Sequence, residues 1–82
     1  MNKIADARRR VGATQFALAK KLKWSQSRIG NYESGIRKPD LDSCRKIVLA
    51  LNELGGEFSL DDIFPPEERS TRRSLSTQSV EI

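Results

Sequence analysis

Apolar residues recur at helical spacing along most of the chain, and no segment shows the strict alternation of a surface strand. Ile4, Ala7 and Val11 lie three and four residues apart, which places them on one side of a helix. The apolar residues Phe16, Leu18, Ala19 and Leu22 mark a second helix, and Leu41, Cys44, Ile47, Val48 and Leu51 form one stripe of a later helix. This spacing predicts an all-α domain in which each helix buries one face.

Residues that commonly cap helices stand just before these groups. Thr14, Ser25 and Asp40 can each accept a hydrogen bond from a backbone amide in the first turn of the helix that follows. Ser59, with Asp62 three residues later, forms a capping box in the sequence. The box predicts a short fifth helix, which contains Leu60, Ile63 and Phe64.

Glycine and proline mark the ends of the predicted helices. Gly12, Gly35 and the pair Gly55-Gly56 follow the first, third and fourth helices, where a C-terminal glycine is expected. After Pro65-Pro66 the sequence is rich in Ser, Thr and Arg and has almost no large apolar residue, which predicts disorder. We therefore expect a five-helix domain over residues 1–64 and a disordered tail over residues 65–82.

The composition argues against several classes of site. The chain of 82 residues has one cysteine and no histidine, so we expect no disulfide within it, no zinc site and no histidine-based catalysis. No apolar run reaches the ~18–20 residues of a membrane span, and the first residues lack the apolar stretch of a signal peptide. We expect a cytoplasmic protein that is not an enzyme, with no cofactor, no metal and no small-molecule substrate.

Positive charge is concentrated in the first half of the chain. The net charge is +4, but residues 1–46 hold 12 Lys and Arg against 4 Asp and Glu, whereas residues 47–82 hold 3 against 7. A basic surface on one side of a small domain is typical of proteins that bind a phosphate backbone. An ordinary solvated surface is the alternative.

Residues 16–33 form two predicted helices with a break of two or three residues. The segment LKWSQSRIGNYESG, from residue 22 to 35, offers few apolar anchors, namely Leu22, Ile29 and Tyr32. So short a break makes the helices cross steeply, and the small Ala19 allows a close crossing. This pattern predicts a helix-turn-helix unit, whose second helix enters the DNA major groove.

The string TQFALAKKLKWSQSRIGNYESGIRKPDLDSCRKIVLAL resembles the DNA-binding domains of the phage Cro and lambda-repressor-like family, also called XRE-type. Thr-Gln opens the second helix, Ser-Gln opens the third, and Tyr-Glu-x-Gly closes it. A basic loop that ends in Lys-Pro follows, and then an amphipathic fourth helix. The resemblance covers roughly residues 3–64 and implies a five-helix, lambda-repressor-like fold that binds operator DNA.

The resemblance implies that the start of the third helix contacts base edges. The matching residues here are Gln26, Ser27 and Asn31. Glutamine and asparagine carry both a donor and an acceptor, so each can pair with adenine through two hydrogen bonds. Arg28 has three alternatives: a guanine contact, a phosphate contact, or simple solvation.

The resemblance also implies contacts with the DNA backbone. Gln15 corresponds to a residue that bonds a phosphate at the N-terminus of the second helix, where the helix dipole favours an anion. Thr14 can cap that helix, contact phosphate, or do both. Arg37 and Lys38, in the loop after the third helix, are expected to meet phosphates, and Ser34 is a further candidate.

Three more positions follow from the same comparison. Arg8 and Glu33 match an internal ion pair, which we interpret as structural. Lys23 stands where relatives have a left-handed glycine, so it predicts either a strained backbone or a different turn. Trp24 is interpreted as a core or hinge residue, with a DNA or partner contact as the alternative.

The function that these features indicate is a Cro-like repressor that binds a pseudo-palindromic operator as a homodimer. Leu54, Phe58, Ile63 and Phe64 are candidates for the dimer interface, with core packing as the alternative. Two other functions stay open: an antitoxin whose tail binds a toxin, and a protein-interaction module of the same fold.

Overall fold

The computed structural model describes residues 2–66, which contain five helices and no strand. The all-α, five-helix prediction is confirmed. The predicted tail lies outside the described residues from residue 67 onward. The helices are α1 (Ile4–Arg10), α2 (Gln15–Leu22), α3 (Gln26–Ser34), α4 (Leu41–Glu53) and α5 (Leu60–Ile63).

The predicted capping side chains begin four of the helices. Each accepts a hydrogen bond from a backbone amide three residues later, at 2.9–3.2 Å. They are Thr14, Ser25, Asp40 and Ser59. At α5 the box is complete, because the Asp62 carboxylate accepts from the Ser59 amide at 2.8 Å. Local sequence therefore determines where these helices start.

The core lies where α2 and α4 meet the other helices. Both α1 and α2 pack on α3 and on α4. The short α5 packs on α4. The backbone amide of Lys3 donates to the carbonyl of Ile63 at 2.9 Å, which joins the first helix to the last. The largest fully buried side chains are Ile4, Leu18, Ile29, Ile47, Leu51 and Ile63.

Two apolar residues of the predicted helices are not in the core. Phe16 is 60% exposed and Leu41 is 50% exposed. At about 100° per residue, Phe16 points well away from the direction shared by Leu18 and Leu22. Leu41 is the first residue of α4 and lies at the edge of its stripe. Counting Leu41 in the buried stripe of the fourth helix was therefore wrong, and Phe16 is an apolar residue of α2 that faces solvent.

The four candidates for a dimer interface pack within the monomer. Ile63 and Phe64 are 1% and 3% exposed, and Leu54 and Phe58 are half-buried against the same core. Ile63 and Phe64 are therefore core residues, which was the alternative to a dimer interface, and they leave no surface for a second copy. Only Leu54 and Phe58 retain exposed area that a partner could cover.

Candidate nucleic-acid interface

The turn between α2 and α3 uses a left-handed residue that is not glycine. Lys23 has φ 61° and ψ 36°, so the prediction of a strained backbone is confirmed and that of a different turn is wrong. Its amide donates to the carbonyl of Lys20 at 3.1 Å, and the next amide, of Trp24, donates to Ala19 at 2.9 Å. These bonds end α2 and leave only three residues between α2 and α3.

The outer surface of α3 carries the predicted base-contacting side chains. Gln26, Ser27 and Ser34 are exposed and Asn31 is half-exposed; we call these four residues the polar face of α3. Ile29 and Tyr32 lie on the opposite side, with exposures of 0% and 5%. Within residues 2–66, the side chains of Ser27 and Asn31 make no hydrogen bond. Their polar groups are therefore available to an outside partner.

Gln15, at the start of α2, lies directly beside Gln26, at the start of α3. The Gln26 Nε2 atom donates to Gln15 Oε1 at 3.4 Å, and Gln15 Nε2 donates to Glu33 Oε1 at 3.0 Å. The predicted phosphate-binding residue thus adjoins a predicted base-binding residue. A Cβ added at Gly30 would lie 3.9 Å from the Gln15 carboxamide, an ordinary van der Waals distance, so this arrangement does not require glycine there.

The predicted ion pair between Arg8 and Glu33 is confirmed. Arg8 Nε donates to Glu33 Oε2 at 2.7 Å, and Arg8 Nη2 donates to Oε1 at 3.1 Å. The hydrogen bond to Glu33 raises the pKa of Arg8 above its ordinary value. Because Glu33 also accepts from Gln15, one carboxylate joins α1, α2 and α3.

The Arg28 side chain lies against the protein surface and does not project into solvent as the polar face of α3 does. Its guanidinium carbon lies 3.8 Å from the centre of the Trp24 ring. Trp24 in turn meets Tyr32 edge to face, with the ring centres 6.0 Å apart. Trp24 is half-buried against the core, as its interpretation as a hinge residue predicts.

The remaining phosphate candidates lie at the two ends of the unit. Thr14 caps α2, accepting from the amide of Ala17 at 3.0 Å. Ser34 donates to the carbonyl of Asn31 at 3.2 Å, which holds its hydroxyl against α3. Arg37 and Lys38 are exposed, and the amide of Arg37 donates to the same carbonyl of Asn31 at 3.2 Å. The basic loop is therefore attached to the C-terminal end of α3.

Asn2 supports the same helix and was not singled out from the sequence. Its Nδ2 atom donates to the carbonyl of Tyr32 at 2.7 Å, and its Oδ1 atom accepts from the amide of Ile4 at 3.2 Å. An asparagine two residues before a helix was the available signal, since an asparagine side chain often bonds the backbone amide two residues later. Its contact with α3 depends on tertiary packing.

The described part of the chain offers no group of three or more His, Cys, Asp or Glu side chains that could hold a metal ion. In that same part, none of the helices is long and apolar enough to cross a membrane.

Comparisons with known proteins point to one family. The family model for the helix-turn-helix matches residues 4–57. An uncharacterized HTH-type transcriptional regulator of Archaeoglobus fulgidus is 53% identical over 45 residues, which is 55% of this chain and 20% of that protein. The match thus covers only about a fifth of the relative's length. No solved structure matches.

The family match covers more than half of the chain and includes all the elements around the polar face of α3. Members of this family are DNA-binding transcription regulators and are generally not enzymes. This chain belongs to the XRE-type, Cro-like helix-turn-helix family.

Proposed function

We propose that this chain is a sequence-specific DNA-binding transcription regulator, which inserts α3 into the major groove. The observation that carries this proposal is the polar face of α3. Gln26, Ser27 and Asn31 project from a helix whose other side is buried, and they are flanked by Gln15 and by a basic loop. Such a surface can hydrogen-bond base edges while its flanks bind phosphate.

Each flank has the chemistry that a phosphate needs. Gln15 begins α2, where backbone amides and the helix dipole favour an anion. Arg37 and Lys38 supply two exposed positive charges at the other end of α3. These contacts would fix the orientation of the protein on DNA without selecting a sequence.

We further propose that the chain acts in the cytoplasm as a Cro-like repressor, and that two copies bind a pseudo-palindromic operator. One α3 covers only a few base pairs, so two half-sites about 34 Å apart would be needed for useful specificity. Leu54 and Phe58, half-buried beside the α4–α5 connection, are the candidates for contact between the copies. Repression would follow when the dimer covers a promoter.

The proposal is tested by selection of bound sequences from a random DNA pool, followed by titration of the selected duplex and a scrambled duplex at several salt concentrations. We expect a selected sequence with two inverted half-sites. Affinity for both duplexes should fall steeply as salt rises, because each neutralised phosphate releases counterions. A flat response to salt, or a pool with no enriched sequence, would contradict the proposal. Insertion of five base pairs between the half-sites should abolish paired binding, since it rotates one half-site to the other side of the duplex.

A further inference from the structure

Arg28 is the one positively charged side chain of α3, and two of its five N–H donors make hydrogen bonds within the protein. Its Nε atom donates to the Tyr32 hydroxyl at 3.1 Å, and its Nη2 atom donates to the Ser43 hydroxyl at 3.3 Å. The guanidinium also stacks on Trp24 at 3.8 Å, a distance typical of a strong cation–π contact. We call Trp24, Arg28, Tyr32 and Ser43 the Arg28 cluster.

The Arg28 cluster and the ion pair of Glu33 hold α3 at opposite edges of its polar face. Arg28 and Glu33 are five residues apart, which at 3.6 residues per turn sets them about 140° apart around the helix axis. Gln26 lies next to the Glu33 edge and Asn31 lies next to the Arg28 edge. Two attachments placed in this way oppose rotation of α3 in either direction.

The Arg28 cluster also connects α3 to α4, two helices that otherwise make little direct contact. α3 packs chiefly on α2, with a smaller contact to α1. The hydrogen bond from Arg28 to Ser43 connects α3 directly to α4. Ser43 is itself fixed, because it is 5% exposed and its amide donates to Asp40 at 2.9 Å. The guanidinium therefore rests against a rigid part of the fold.

We propose that Arg28 is a positioning residue, which fixes the rotation of α3 through Trp24, Tyr32 and Ser43 and so sets how Gln26 and Asn31 meet the base pairs. This inference rests on the proposed function. It differs from a base contact, which would specify one base pair, and from a phosphate contact, which would add affinity for any sequence. It also predicts that residues remote from DNA, such as Ser43, affect sequence preference.

The test compares Arg28→Met and Arg28→Lys with the wild-type protein, and uses Arg45→Met as the matched control. Arg45 is an exposed arginine on α4 outside the cluster, so its removal changes the net charge equally. Affinities for the selected and scrambled duplexes are measured at several salt concentrations, and the selection is repeated with each variant. Trp24 is the only tryptophan, so its fluorescence reports whether the stack with Arg28 is lost.

We expect Arg28→Met to lower the affinity for the selected duplex roughly two- to tenfold more than Arg45→Met does, as loss of one or two hydrogen bonds implies. Preference should weaken at the base pairs of both Gln26 and Asn31, and the salt dependence should equal that of the control. Arg28→Lys should not rescue specificity, because an ammonium lacks the planar fork that reaches two partners. The emission of Trp24 should change in both Arg28 variants.

Ser43→Ala provides a second test and removes only one hydroxyl. It should reduce specificity in the same sense, and combining it with Arg28→Met should cause no further loss, since both act through one contact. Tyr32→Phe gives the same information if Arg28→Met fails to fold. Independent, additive losses would overturn the proposal.

Three other outcomes would also overturn it. Preference relaxed at a single base pair would identify Arg28 as a base contact, and a salt slope lower by about 1 than that of the control would identify a phosphate contact. If Arg28→Met bound both duplexes as tightly as Arg45→Met does, Arg28 would have no role in DNA binding. If the wild-type protein selects no sequence, the proposed function itself fails and the positioning role falls with it.

Discussion

The carboxylate of Glu33 accepts two hydrogen bonds from the guanidinium of Arg8, at 2.7 and 3.1 Å. The two side chains are only 8% and 13% exposed. The pair attaches the last turn of α3 to α1, and Gln15 extends it to α2. Neither charge can recover full hydration if its partner is removed, so the pair acts as a unit.

Arg8→Met should therefore lower the free energy of unfolding by about 3 kcal/mol, because it leaves the Glu33 carboxylate buried and unpaired. Glu33→Leu should have a similar effect. The double variant should be much less destabilised than the sum of the two, since it leaves no unpaired charge. Urea unfolding followed by circular dichroism measures all three, and strictly additive losses would show that the pair is not coupled.

Lys23→Gly should raise the free energy of unfolding by about 1 kcal/mol, because glycine adopts the left-handed conformation of this turn without steric conflict. Lys23→Ala is the control: it removes the charge but keeps the Cβ, so no such gain is expected. If the free energy of unfolding rose equally in both variants, the cause would be the lost charge and not the backbone conformation.

Two glycines should respond to alanine in opposite ways. At Gly30, inside α3, the added Cβ would meet only the Gln15 carboxamide at 3.9 Å, so the higher helix propensity of alanine should stabilise the protein by up to about 1 kcal/mol. At Gly56 the Cβ would overlap the Phe58 ring, with the Cδ2 atom at 2.7 Å, and would lie 3.1 Å from the Leu51 carbonyl oxygen.

The backbone of Phe58 cannot easily shift to carry the ring away from such a Cβ. The backbone amide and carbonyl of Phe58 are both bound by the side chain of Asn52, at 2.7 and 2.9 Å. Gly56→Ala should therefore destabilise the protein by about 1–3 kcal/mol. Thermal unfolding of both variants measures the contrast, and a neutral Gly56→Ala would mean that the loop repacks readily.

Acid should destabilise the start of α4. The hydrogen bonds from Ser43 hold the pKa of Asp40 below its ordinary value of 3.8. A lowered folded-state pKa contributes stability above the unfolded-state pKa, and that contribution is lost as the pH falls through the folded-state value. Asp40→Asn keeps a capping side chain but cannot titrate. Between about pH 5 and pH 2 its unfolding free energy should fall less than that of the wild type; an equal fall would place the acid response elsewhere.

The local features of the fold could be predicted from the sequence because they depend on neighbours in the chain. A cap such as Ser25 bonds an amide three residues later, and the spacing of Ile4 and Ala7 determines a shared helix face. The pairing of Arg8 with Glu33 was available only through resemblance to a family, since its members are 25 residues apart.

The features that sequence did not predict depend on how the helices pack. From the sequence, Arg28 had three alternatives: a guanine contact, a phosphate contact or solvation. Its actual place against Trp24 and Ser43 depends on the packing of α4, because Ser43 lies fifteen residues further along the chain. Leu41 belongs to an apolar stripe, yet periodicity does not say whether a neighbouring helix covers the first turn of α4. Burial of Ile63 and Phe64 likewise required the position of α5 against the core.

The central claim is that the polar face of α3 selects the DNA sequence while its flanks bind the backbone. The most direct test is the ratio of affinities for the selected and the scrambled duplex, measured for the wild type, Gln26→Ala and Lys38→Ala at one salt concentration. Gln26→Ala should reduce the ratio by a factor that corresponds to about 1–3 kcal/mol, with little change in scrambled binding. Lys38→Ala should weaken both duplexes alike and leave the ratio unchanged. An unchanged ratio in Gln26→Ala, or equal losses on both duplexes in both variants, would contradict the account.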